Sequence, residues 1–374
     1  MSALEDGFRG QSVFITGHTG FKGAWLSTWL AGLGAQVTGY ALAPPTEPNL
    51  FDATGLRDRI RHVVDDVRDV DRLTAEVQKA RPSVIFHLAA KALVRRAYEE
   101  PRETFETNVM GTVIILEAAR ACPSVRAVIV VTSDKSYENL ETGRPFVETD
   151  PMGGRDPYAA SKGAAELVTA AYRDSFFADG AAVASVRAGN VIGGGDWAPD
   201  RIIPDSVRAL LAGQPIIVRN PDAVRPWQHV LEPLSGYLQL GALMLRASRR
   251  YAGPWNFGPT HEAGERPVRW VVDRFLREWG SGSWTTPPDM VRQPHEALRL
   301  SLDSTKAREQ LGWAPVWDGE EAVRRTAAWY REYHQEPATA RELVDEQLLA
   351  YQVDARAAGL AWAGAGSLAE DRIR

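Results

Sequence analysis

The strongest constraint on the fold is the junction "SVFITGHTGFKGAWL", residues 12–26, where a β-branched apolar run breaks into a glycine-spaced loop and then a helical pattern. Gly17, Gly20 and Gly23 stand three residues apart. Glycines at such a junction let the chain turn tightly, approach a pyrophosphate and pack helix against strand, while the helix start offers amide donors and a positive dipole end. The spacing is G-x-x-G-x-x-G, not the commoner G-x-G-x-x-G, so its force comes from position. It follows the first of six mostly apolar runs, 12–17, 36–42, 61–67, 83–90, 126–133 and 182–190, which read as strands covered on both faces. Helical patterns lie between them at 22–34, 70–80, 102–121 and 158–178. This alternation predicts an α/β fold built on a doubly wound parallel Rossmann sheet.

After "NVIGGGDW" (190–197) prolines, tryptophans and shorter elements become frequent. The expected division is a nucleotide-binding domain over 1–190, with later segments returning to it. A smaller substrate-binding lobe over 191–355 closes the carboxyl edge of the sheet, and 356–374 form a frayed tail. With 44% hydrophobic and 24% charged residues the chain is globular. A net charge of −5 gives no basic face for nucleic acid. Cys122 is the single cysteine, which excludes an internal disulfide and a cysteine zinc site. The first residues lack a basic-then-apolar leader, and no run reaches the ~18 apolar residues of a membrane span. A soluble, cytoplasmic protein is expected.

The acidic residue that would bind the adenosine ribose some 20 positions past the loop is missing: around Tyr40 the chain reads "GYALAPPTEP". His18 and Lys22 are candidates to cover the ribose or a phosphate, or else are solvated loop residues. Asp66, at the end of the third run, either accepts from an adenine amino group or caps a helix. "DPYAASKGAAELV" puts Tyr158 and Lys162 four apart on one helix face, where a nearby ammonium favours the phenolate and the pair can take a proton from an alcohol. The run "VVTSDKSYEN" (130–139) ends abruptly in Ser133, Asp134 and Lys135. These groups either handle protons on a substrate or form a surface ion pair at a strand end.

The glycine loop, "HLAA" (87–90), "TNVMGT" (107–112), the Ser/Thr strand end and Tyr-x-x-x-Lys resemble the extended short-chain dehydrogenase/reductase superfamily. Within it, "GHTGFKGAWL", "TSDKSYEN", "DPMGGRDPYAASKGAAELV" and "RAGNVIGGGDWAPDRIIPD" resemble the CDP-glucose 4,6-dehydratase family, over about residues 11–355. The resemblance implies an enzyme that uses NAD catalytically on a CDP-sugar. Tyr158 takes the C4 hydroxyl proton as hydride leaves C4, Lys135 removes the C5 proton, Asp134 protonates the departing C6 hydroxyl, and hydride returns to C6. It further implies that Gly17, His18, Gly20, Phe21, Lys22, Gly23, Asp66, Val67, Ala89 and Asn108, with Tyr158 and Lys162, line the cofactor site. The loop after "YEN" departs from the family, reading "LETGRPF" where an aromatic-rich segment is the norm.

Asn190, Arg201, Arg225 and Arg292 are the candidates for holding the sugar nucleotide, since a guanidinium fork matches phosphate oxygens. The histidines form no metal-binding pair and no G-x-S-x-G occurs, so neither a metal nor a serine nucleophile is expected. Trp227, Trp255, Trp284 and Trp313 read as lobe core. Apolar residues on more than one face of 102–121 and 158–178 fit a homo-oligomer joined by paired helices. The competing readings are a nucleotide-sugar 4-epimerase, a dehydratase for another nucleotide, and a non-catalytic NAD-binding regulator.

Overall fold

The computed structural model describes residues 2–260, 265–286 and 299–364. Seven strands, β1 (Ser12–Thr16), β2 (Gln36–Ala41), β3 (Arg61–Val64), β4 (Val84–His87), β5 (Ala127–Val131), β6 (Ala182–Ala188) and β7 (Gly253–Phe257), form one sheet in the order β7-β6-β5-β4-β1-β2-β3. Every neighbouring pair is parallel. All six expected strands are present. β7 was not expected: "GPWNF" carries a proline and lies among shorter elements, yet it pairs along its length with β6, from Gly253 opposite Ala184 to Phe257 opposite Ala188.

Apolar residues on both sides of each strand explain why the sheet is buried on two faces. Val13 and Ile15 of β1 join one core with Trp25, Trp29 and Phe86, whereas Phe14 joins the other with Ile85, Ile115 and Val128. That alternation is the period of two of a strand with no solvent face. The covering helices include α1 (Phe21–Gly32), α2 (Val70–Ala80), α3 (Gly111–Arg120) and α4 (Pro157–Phe176). The single helix expected over 102–121 is instead a short helix, Pro101–Phe105, a wide π turn over Glu106–Met110, and α3. Such turns bulge where a side chain must be re-aimed, and Asn108 sits in this one.

Beyond β6 the chain forms α5 (Ile202–Leu211), α6 (Leu231–Arg246), α7 (Val268–Trp279), α8 (Gly319–Gln335) and α9 (Ala340–Ala357). α6 is buried over most of its length, in the core that holds Phe86 and Ile129. Trp255, in β7, and Trp313 are buried in the core that holds Val13 and Trp25 and not in a separate lobe core, and Trp227 is buried at the wall of the main cleft. Trp284 is only partly buried and donates to Asp273 Oδ1 at 2.7 Å. Among the described residues no helix is long and apolar enough to cross a membrane.

Candidate active site

Strand order reverses between β1 and β4, so the connections leaving their carboxyl ends part and open a crevice. A cleft of about 890 Å³ lies there, lined from the glycine loop through Ser133–Lys135 to Arg201 and Arg225. Gly17 has φ +79°, and a Cβ on it would come within 2.7 Å of the Ala89 backbone nitrogen. The bare Cα lets the loop rest on the end of β4. Gly20 caps α1 and faces the cleft, where a Cβ would find only the Gly17 oxygen, at 3.5 Å. Phe21, Lys22, Gly23, Val67 and Ala89 line the same space. An open helix start with room for phosphate oxygens fits a dinucleotide pyrophosphate.

Two residues expected at the cofactor do not face it. His18 is fully buried and absent from the cleft wall. Its ring fills the space left by Gly39 of β2, where a Cβ would lie 2.3 Å from the His18 Cγ, and stands edge-on to Phe51. His18 Nε2 and His62 Nδ1 are 2.6 Å apart. Burial first, then His62, pushes the His18 imidazole down to about 3, so it is a neutral packing group. Asn108 is likewise committed elsewhere. Its Oδ1 accepts from Lys91 N at 2.8 Å, and its Nδ2 donates to the Lys91 carbonyl at 3.1 Å and to Ser161 Oγ at 2.8 Å. Asn108 therefore ties the loop after β4 to α4 and is a positioning residue.

Asp66 lines the cleft beyond β3, but Arg68 holds both of its oxygens, with Nε 3.0 Å from Oδ1 and Nη2 2.6 Å from Oδ2. These hydrogen bonds from Arg68 keep the carboxyl below its usual range. Helix capping falls to Asp69, whose side chain accepts from Arg72 N. The sequence reading found no arginine near the end of β2, yet the parallel pairing of β2 and β3 delivers Arg68 to this end of the cleft.

At the end of β5, Ser133 Oγ accepts from Lys135 N at 3.3 Å and so starts the tight turn Asp134–Ser136. Ser133 Oγ also donates to Asp134 Oδ1 at 3.0 Å. Asp134 is 1% exposed, and its Oδ2 has no hydrogen-bond partner among the described residues. Lys135 Nζ lies 3.8 Å from Asp134 Oδ1. Facing this turn is α4, started by Asp156, which accepts from Ala159 N at 2.9 Å, with Pro157 in the first helical position. That start fixes Tyr158 and Lys162 one turn apart, and both line the cleft.

Burial pushes the Tyr158 phenol up to about 12, aided by Asp134 and opposed by the Ser133 hydroxyl and Arg201. Lys162 was expected to favour the phenolate, but its ammonium donates to the Val131 carbonyl at 3.1 Å and burial brings it down to about 8, with Glu166 opposing. Lys22, a candidate for the ribose or a phosphate, lines the cleft among the charged groups Arg201, Asp134, Lys162 and Lys135. Burial and then Arg201 bring it down to about 8, and Asp134, Lys162 and Lys135 also act on it.

Sequence reasoning missed Glu166, four residues past Lys162 on α4 and 4% exposed. It accepts from Arg187 Nε at 2.8 Å and Nη2 at 2.7 Å, from Ser185 Oγ at 2.6 Å and from the Thr132 hydroxyl. Burial pushes Glu166 up, and the Arg187 guanidinium more than offsets it. The signal was a Tyr-x-x-x-Lys-x-x-x-Glu spacing that keeps all three on one helix face.

On the lobe side, Asn190 lines the cleft with a buried Oδ1 that lacks a partner among the described residues, and Arg225 lines it at 5% exposure, donating to the Val224 carbonyl at 2.9 Å. Arg201 donates to Asp196 Oδ2 at 2.8 Å. Arg292 lies outside the described residues. Among the described residues no group of His, Cys, Asp and Glu is placed to hold a metal ion.

The chain matches the model of the GDP-mannose 4,6 dehydratase family over residues 14–326. It is 47% identical over 331 residues to CDP-glucose 4,6-dehydratase of Salmonella typhimurium, covering 87% of this chain and 91% of that one. A dTDP-glucose 4,6-dehydratase of Xanthomonas campestris is 28% identical over 333 residues, covering 84% and 92%. The crystal structure of dTDP-glucose 4,6-dehydratase from Streptomyces venezuelae, with NAD bound, superposes with a TM-score of 0.71 at 28% identity, over 87% of this chain and 99% of that one.

Proposed function

This chain belongs to the GDP-mannose 4,6 dehydratase family, and on that footing we propose that it converts CDP-D-glucose to CDP-4-dehydro-6-deoxy-D-glucose and water. The observation that carries the reading is Asp134 beside Lys135 at the end of β5, in the same cleft as Tyr158 and Lys162. A 4-epimerase needs no such acid and base for elimination. The glycine loop, with Phe21 and Lys22, would hold NAD, which would supply an acceptor for the C4 hydride and the same hydride for C6, so no reduced cofactor would accumulate.

The chain's own groups do the rest. Tyr158 takes the proton of the C4 hydroxyl, with Ser133 and Arg201 opposing the burial that disfavours its phenolate. The resulting C4 ketone acidifies the C5 hydrogen, which Lys135 removes as a proton. Asp134 donates a proton to the C6 hydroxyl, which leaves as water. Its Oδ2, buried and without a partner among the described residues, can meet that oxygen. Asn190 and Arg225 bind the sugar nucleotide from the lobe side, and Asp66 and Arg68 close the far end of the cofactor site.

We assign residues 1–190, with β7 and α6 returning to the same sheet and core, to cofactor binding, the rest of 191–355 to the substrate lobe, and 356–374 to a tail whose Trp362 and Ala363 are buried against the main core. Homo-oligomerisation is supported by the exposed apolar side chains Phe105, Met110 and Leu167 on α4 and the helical segment before α3. Cytoplasmic residence fits the free Cys122. The decisive experiment is incubation with NAD and CDP-, UDP-, GDP- or dTDP-glucose, followed by mass spectrometry. Loss of one water from CDP-glucose without net NADH is expected, and intact CDP-glucose would overturn the reading.

A further inference from the structure

Arg95, Asp200 and Arg219 form a charged cluster on the cleft wall that no step above uses. Asp200 Oδ1 takes Arg219 Nη1 at 2.9 Å and lies 3.5 Å from Arg95 Nη1, while the Asp200 carbonyl receives Arg219 Nη2 at 3.4 Å. Both guanidinium groups thus engage one carboxylate oxygen, and Oδ2 has no donor among the described residues. The backbone of Asp200 is left-handed, with φ +62°. Asp and Asn tolerate that conformation better than other side chains, and a residue held in it fixes its side chain's direction.

Location narrows the ligand. Asp200 stands just before α5 and Arg219 just after the short lobe strand Ile216–Ile217, so the cluster lies on the lobe side of the cleft. The cofactor's far end at Asp66 and Arg68 belongs to β3 on the opposite edge of the sheet. Beside the cluster, Ile217 lines the cleft with 51% of its surface exposed, an apolar wall for a flat ring.

We propose that Asp200 and Arg219 read the base of the sugar nucleotide and select cytosine, an inference that rests on the dehydratase reading. Cytosine presents an amino donor at N4 next to ring and carbonyl acceptors, and a carboxylate oxygen beside a guanidinium answers it in kind. Uracil and thymine place a carbonyl oxygen where cytosine has its amino group. That oxygen meets Oδ2 acceptor to acceptor. Sliding the ring to offer its N3 hydrogen instead would pull the diphosphate off its lobe-side anchors. Two arginines on Oδ1 keep the carboxylate aimed, which makes the rejection firm.

The test compares wild type, Asp200→Asn and Asp200→Gly by calorimetric binding of CDP and UDP and by turnover of the two glucose nucleotides. Both replacements suit the left-handed backbone, and glycine serves if asparagine disturbs the loop. The asparagine amide can turn its donor towards a carbonyl, so the preference for CDP over UDP should fall by on the order of 10- to 100-fold, with UDP affinity rising. Glycine should weaken CDP without weakening UDP. An unchanged CDP-to-UDP ratio in folded variants overturns the base-reading role while wild-type turnover of CDP-glucose leaves the dehydratase reading standing. Wild type that dehydrates a different nucleotide sugar overturns both.

Discussion

Glu166→Gln separates the electrostatic support of the site from its chemistry, because Glu166 touches none of the groups proposed to meet substrate. Burial holds the Lys162 ammonium down to about 8, and the Glu166 charge is what opposes that burial. Removing the charge lowers Lys162 further, so the ammonium is lost at lower pH and the alkaline limb of kcat/KM moves towards acid. Two charges one helical turn apart, ~6 Å, interact by roughly 3 kcal/mol at an effective dielectric of about 20, equivalent to about two pH units. Arg187 already offsets much of the Glu166 charge through two hydrogen bonds, which reduces the expected movement to about one unit. The same change leaves Arg187, 3% exposed, without its counter-charge. Breaking a buried pair costs about 3–5 kcal/mol. With an unfolding entropy of roughly 2.1 cal/mol/K per residue, that is a fall in Tm of about 4–6 °C for a chain of this length. pH–rate profiles and calorimetry of the variant check both numbers. A destabilised variant with an unmoved alkaline limb would refute the electrostatic link and leave Glu166 a packing residue.

Asp134→Asn should lower dehydration by roughly 10²- to 10⁴-fold, the range for losing a general acid. Reduced cofactor should then build up in the presence of CDP-glucose, and undiminished water loss would remove Asp134 from the acid role. Gly39→Ala puts a methyl where the His18 ring sits and forces the glycine loop to move. The expected result is a stability loss of about 1–3 kcal/mol together with weaker NAD binding, measured by thermal melting and titration. If NAD affinity is untouched, the loop does not depend on that packing. Asn108→Ala removes three hydrogen bonds and strands the Lys91 backbone groups. It should cost about 1–3 kcal/mol and lower kcat more than it raises KM. A change confined to the KM for NAD would restore Asn108 as a direct cofactor contact.

The sheet was legible because its strands are buried on two faces, so "AVIVV" and "AVASVRA" carry an apolar signal that solvent exposure would have diluted. β7 was not, because its place depends on a pairing with β6 some 70 residues away and not on its own composition. The groups proposed for catalysis were legible for a similar reason. Tyr158 and Lys162 share a helix face by spacing alone, and Asp134 and Lys135 stand where a buried run stops.

His18 shows what spacing leaves out. It lies inside a phosphate-loop pattern, but its side chain follows the hole at Gly39, a residue 21 positions on and in another strand. Arg68 is the complementary case: no acid stands at the end of β2, and an Asp–Arg pair at the end of β3 lines the cleft there, which only the parallel register of the two strands brings alongside. A motif therefore fixes where the backbone turns. Which side chains reach the cleft is decided by the neighbouring strands, and those that face away, such as His18 and Asn108, still set the loop positions on which the reacting groups depend.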